Sequence, residues 1–275
     1  MPHPIGQSVG RPFPNRRIKC RLSQELAIHL ALPAVICVLF VASVVRSAFG
    51  FGEAMVAVPL LSFWIPLQHA APLAVLASVT VALIVVAQDW KDIHLRAAAG
   101  LLASTLIGLP LGLLLLTSSH QHLLRFGLGA LIAFFSFYAV AGRSRMKLRI
   151  EHKGWMVVFG ALAGFLGGAF GMNGPALAIY GALRRWPAAN FRATLQAYFL
   201  PASTMGLIGF WKAGVWTHAV THEYLYALPA IVPGVFVGRY ISRKLDRDAF
   251  LKYIYFALMA VGVVLMVQGA TGRQA

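Results

Sequence analysis

The sequence predicts an all-α polytopic membrane protein, with about 8 to 10 transmembrane segments in two inverted repeats that each carry a Gly-rich helix break. Three observations predict it. Hydrophobic residues fill 59% of the 275 positions and charged residues only 12%, whereas roughly a quarter of a soluble domain is charged. Eight stretches contain no Asp, Glu, Lys or Arg, and most approach the roughly 20 residues that cross a bilayer as a helix. The chain also resembles itself across about 120 positions, and its loop charges segregate as two oppositely oriented copies would require.

Residues 1–25 form a basic leader with Arg11, Arg16, Arg17, Lys19 and Arg21. The apolar run that follows, Leu26 to Val45, is too long for a signal-peptide core and is not followed by a small-x-small cleavage site. It is read as a retained first helix. Ala54 to Gln88 has no charge and would measure about 52 Å as one helix, so it must turn back, and Pro66 and Pro72 mark the turn. Segments at about 52–65 and 72–88 result. The loop DWKDIHLR leads to a helix at about 97–117, whose Gly108-x3-Gly112 spacing lets helices approach closely. A fifth segment covers about 123–141. Residues 143–153 are a basic linker.

The second half, 154–268, repeats the pattern. Its opening run, Gly154 to Leu183, is again too long for one straight span and is interrupted by GAFGMNGP. Segments follow at about 193–211, 224–241 and 250–268, and 269–275 is a C-terminal tail. AFGFGEAMVAVP, from Ala48, aligns with AFGMNGPALAIY, from Ala169, placing Phe49 on Phe170 and Gly50 on Gly171 at an offset of 121. Pro66 then falls on Pro187 and Lys91 on Lys212. Further on the offset becomes 126, where Gly108-x3-Gly112 meets Gly234-x3-Gly238.

If all ten segments cross, fourteen bases from Lys91 to Arg247 share one side, and only Arg125, Lys212 and Arg273 lie in the loops and C-terminus opposite. The positive-inside rule makes the richer side cytoplasmic. Five crossings per copy invert one copy relative to the other. The basic leader then lies outside, and placing it inside would require segment 52–65 to re-enter without crossing.

The net charge of +16 sits in short loops between apolar runs, which excludes a nucleic-acid surface. Cys20 and Cys37 imply no disulfide framework. His218 and His222 lack a third ligand at convincing spacing, so no metal is expected, and no cofactor motif or catalytic set is present. The expected partners are the lipid bilayer, a small anionic substrate and a coupling ion, with the proton as candidate. A homo-oligomer is compatible with the sequence.

Backbone that leaves the helix inside a bilayer must line a cavity or be buried in protein. Two related breaks therefore make a candidate site, and the restarting helices offer free N–H groups suited to an anion. The candidate binding residues are Arg46, Phe49, Gly50, Gly52, Glu53, Gly171, Asn173, Gly174, Pro175 and Gln196. Arg46 and Glu53 either pair, or Arg46 binds the anion while Glu53 titrates with a coupled proton. The alternative is that both lie near an interface and that the glycines serve only packing. Ser78, Thr80, Tyr198, Ser203 and Thr204 are further polar candidates.

At these breaks, in FGFGEAMVAVP and GGAFGMNGP, the chain resembles the sulfite exporter TauE/SafE family of membrane permeases, whose halves each open on a glycine-rich motif followed by a proline. The likeness covers nearly the whole chain after residue 25. Glu53, Ala54 and Asn173 stand where that family often shows further glycines. The resemblance implies a permease that moves a small anion, often a sulfur compound such as sulfite or a sulfonate, across the cell inner membrane. An intramembrane enzyme or a non-transporting accessory subunit is the alternative.

Overall fold

A computed structural model describes the backbone of residues 16–89, 95–118, 121–141, 154–184, 188–244 and 247–271. The linker 143–153, most of the DWKDIHLR loop, Pro187 and the ends of the leader and tail lie outside the described residues. Every described element is a helix. In order these are α1 (Arg16–Phe49), α2 (Glu53–Leu61), α3 (Leu67–Asp89), α4 (Leu95–Leu116) and α5 (Gln121–Ala141). Then come α6 (Gly154–Phe170), α7 (Gly174–Leu183), α8 (Ala188–Lys212), α9 (His218–Lys244) and α10 (Arg247–Thr271). Among the described residues six helices are long and apolar enough to cross a membrane.

The turn after α2 comes earlier than Pro72 suggests. It spans 62–66, and the Pro66 carbonyl already accepts from the His69 and Ala70 amides at 2.9 and 3.0 Å. Pro72 lies in the second turn of α3, where it removes the bond its N–H would make to the Gln68 carbonyl. Gln68, expected in the turn, lies in α3 and donates from Nε2 to the Leu116 carbonyl at 3.3 Å. That bond serves a carbonyl at the end of α4 that its own helix leaves unused.

Glycines set the tightest helix contacts. A Cβ at Gly108 would strike the Ala161 carbonyl, and one at Gly112 the Phe165 carbonyl, so α4 lies backbone to backbone on α6. Gly234 and Gly238 place α9 on α1 in the same way, against the carbonyls of Phe40 and Val44. The sequence spacing predicts this packing role.

These contacts fix helix directions. Gly100 lies beside Met156 and Gly112 beside Gly168, so α4 and α6 run parallel, and the Gly234 and Gly238 contacts make α1 and α9 parallel. Gly129 lies beside Gly262 while Gly269 lies beside His122, so α5 and α10 are antiparallel. The most extensive pairings between the halves survive exchange of α1–α5 for α6–α10. The contact of α4 with α6 becomes that of α9 with α1, α4 with α8 becomes α9 with α3, and α3–α8 and α5–α10 map onto themselves. Of the counterparts, α5 and α10 touch directly and run opposite to one another.

The two short helices cannot span a bilayer alone. At nine and ten residues, α2 and α7 measure about 14 and 15 Å, half the roughly 30 Å hydrocarbon core. Arg46, in the last turn of α1, reaches Ser78, halfway along α3. So the break between α1 and α2 lies beside the middle of α3.

Candidate functional site

Both breaks close the preceding helix with the same bond. The Gly50 N–H donates to the Arg46 carbonyl at 2.6 Å, and the Gly171 N–H donates to the Gly167 carbonyl at 2.9 Å. The two glycines take φ of 86° and 68°, in the left-handed region that side chains disfavour. Gly52 follows at φ 100° as the residue before α2, with no side-chain cap on that helix. The first amides of α2 and α7 have no carbonyl partner inside their own helices.

Between the breaks lies a cavity of about 20 Å³, room for one or two water molecules at about 10–15 Å³ each. The first half lines it with Arg46, Gly52, Glu53, Ala54, Met55 and Ser78, and the second with Gly171, Met172, Asn173, Gly174, Phe199 and Ser203. Six of the expected site residues therefore meet: Arg46, Gly52, Glu53, Gly171, Asn173 and Gly174.

The others take different places. Phe49 lines a neighbouring cavity with Met55 and Tyr255. Gly50 forms the turn, and Pro175 stands at the second position of α7, where proline suits a helix start; neither lines the cavity. The side chain of Gln196 lies outside the described residues.

Arg46 and Glu53 pair at 3.1 Å and are only 3% and 1% exposed, so the interfacial alternative does not describe them. The Arg46 Nη1 group donates both to Glu53 Oε2 and to Ser78 Oγ. Its guanidinium lies 4.9 Å from the Phe199 ring centroid, a cation–π contact. Nε and Nη2 of Arg46 and Oε1 of Glu53 are buried with no partner. Leaving such groups unpaired costs about 1–3 kcal/mol each. Nε and Nη2 together form the side-on edge with which arginine grips two oxygens of one oxyanion.

Asn173 is held by a chain of hydroxyls. Its Nδ2 donates to the Tyr198 hydroxyl at 3.3 Å, which lies 2.7 Å from Thr105 Oγ1, and Thr105 donates to the Leu101 carbonyl at 2.9 Å. A Cβ at Gly167 would strike the Asn173 amide oxygen, so Gly167 leaves room for that amide.

Of the remaining polar candidates, Ser203 lines the cavity. Thr80 bonds the Tyr224 hydroxyl at 2.5 Å, and Thr204 turns outward to its own helix at the Leu200 carbonyl. Sequence reasoning missed Phe199 and Thr105. The signal for Phe199 was available, since it lies 121 positions after Ser78.

Among the described residues, a bundle of ten apolar helices with a buried charged pocket where two broken helices meet defines the class: a multi-pass membrane transporter. The chain belongs to the sulfite exporter TauE/SafE family, whose model matches residues 35–266. It is similar to a probable sulfite/organosulfonate exporter TauE of Cupriavidus necator, 28% identical over 180 residues that cover 65% of this chain and 69% of the relative. No solved structure matches the chain. Membership of a family of exporters makes this protein a transporter and not an enzyme.

Proposed function

We propose that the protein moves a small oxyanion, a sulfur-containing one such as sulfite or a sulfonate, across the inner membrane by alternating access between two inverted repeats, 26–142 and 154–268. One observation carries the reading: a buried arginine whose bidentate edge, Nε and Nη2, has no partner and lies at the junction of the two helix breaks. The amide of Asn173 and the starts of α2 and α7 complete a set of donors without adding negative charge. The pairing of helices across the halves, preserved when α1–α5 and α6–α10 are exchanged, supports the repeats and the domain limits. The name of the Cupriavidus necator relative supports the substrate class.

The cavity has room for one or two water molecules and not for a sulfonate, so loading an anion requires the two breaks to part. Radiolabelled sulfite and a small alkylsulfonate, offered to proteoliposomes, test this directly. Saturable flux of either is the expected result, and absence of flux for both would sink the reading. Replacing Asn173 with alanine is expected to raise KM by about tenfold, the worth of one hydrogen bond of roughly 1.4 kcal/mol, with little change in thermal stability. Cysteines placed at 51 and 172 should react with a water-soluble thiol reagent during turnover, and substrate should protect them.

A further inference from the structure

We propose that Glu53 is an internal counter-ion which a bound anion displaces, so that its carboxylate takes up one proton for each monovalent anion loaded and transport is an electroneutral anion–proton symport. The proposal rests on the anion-carrier reading above and specifies what that site must do with its charge.

The empty site is neutral because one buried cation faces one buried anion. Arg46 Nη1 is committed to Glu53 Oε2 and Ser78, and an oxyanion arriving at Nε and Nη2 would give the pocket a net charge of −1. A single charge at bilayer depth costs roughly 2.5–3.5 kcal/mol on insertion scales, and among the described residues no second cation lines the cavity. Helix α2 packs against α1, α3, α5 and α10. From α1 comes Arg46, from α3 the neutral Ser78, and from α10 Tyr255, which lines the cavity on the other side of Met55 and Val56. No described charged group of α5 lines either cavity. The opposite break offers only Asn173, which does not titrate.

The proton has an obvious place to go. Glu53 Oε1 is buried without a partner, and Glu53 lines the same small cavity as Arg46. An O–H bond forms there from a water-borne hydronium as the anion enters, and it breaks when the anion leaves and Glu53 ionises to pair again with Arg46. Protonated, Oε1 donates to an oxygen of the bound anion, where ionised it would repel it. The equivalents of Arg46 and Glu53 in the second half are Gly167 and Gly174, so there is one such pair and one proton per anion.

The test uses full-length protein in proteoliposomes with a trapped pH dye and the membrane potential clamped by potassium and valinomycin. A small alkylsulfonate is the probe because it carries no titratable proton near neutral pH. Wild type should acidify the lumen by one proton per sulfonate taken up, at a rate insensitive to the clamped potential. Glu53→Gln should lose the acidification, and whatever flux remains should respond to the potential. Wild-type sulfonate flux that moves no protons, or that follows the potential, overturns the symport while leaving the carrier intact. Absence of flux for sulfonate and sulfite alike would overturn both. The wild-type measurements decide the matter even if the glutamine variant fails to insert.

Discussion

Replacing Arg46 with alanine is expected to reduce anion flux by at least about a hundredfold, since hydrogen bonds to charged groups contribute about 1.5–3 kcal/mol each and two are lost. Arg46→Lys should rescue little of it, because an ammonium keeps the charge but not the two-pronged edge. Stability separates this effect from misfolding. Alanine at 46 leaves Glu53 buried and unpaired, a change worth about 3–5 kcal/mol when the charge persists. Arg46→Ala combined with Glu53→Gln should therefore melt near wild type in detergent and still fail to transport. Recovery of flux in that double variant would show that Arg46 serves folding and not the anion.

Leucine at Gly112 is expected to disrupt the packing of the bundle. The added side chain meets the Phe165 carbonyl, the Ala169 amide and the Cα of Gly168, all backbone atoms that cannot rotate aside. Overpacking of ordinary cores costs about 1–3 kcal/mol, and here relief requires α4 and α6 to separate. The expected readout is loss of the monodisperse species in detergent. Leucine at Gly238 should do the same through α1 and α9, where a Cβ meets the Val44 carbonyl. Alanine at Gly214 is the control: its φ of 71° is unfavourable to a side chain, but nothing lies within 4 Å, so the bundle should survive.

Several features were legible in the sequence because they are local or repeated. The two breaks declare themselves through Gly50, Gly52, Gly171 and Pro175 set in runs too long for one span. Arg46 and Glu53 stand out as charges where charge is costly, and the x3 glycine spacings mark close helix approaches. What the sequence hides is which helices meet. The helices bury or expose apolar residues on nearly every side, so hydrophobic periodicity picks out no inward face. Nothing local says that α4 lies on α6, in the other half, or that Thr105 orients Asn173 through Tyr198. The extents of α2 and α7 were hidden for a similar reason. An uncharged run gives its total length, while the end of α1 is set against the middle of α3, where Arg46 meets Ser78.

Ser78 and Phe199 are equivalent positions of the two halves, and the guanidinium of Arg46 touches both. A group that reaches two equivalent positions stands close to the line about which the halves exchange, where there is space for one side chain and not for its duplicate. Gly167, opposite Arg46, and Gly174, opposite Glu53, are what that crowding demands. In the carrier we propose, two matching frames that differ at a few paired positions make a single lopsided receptor. A guest lodged there meets charge and a hydroxyl from one half, and an amide and an aromatic ring from the other. The frame reads the same in both directions, but the guest has a head and a tail.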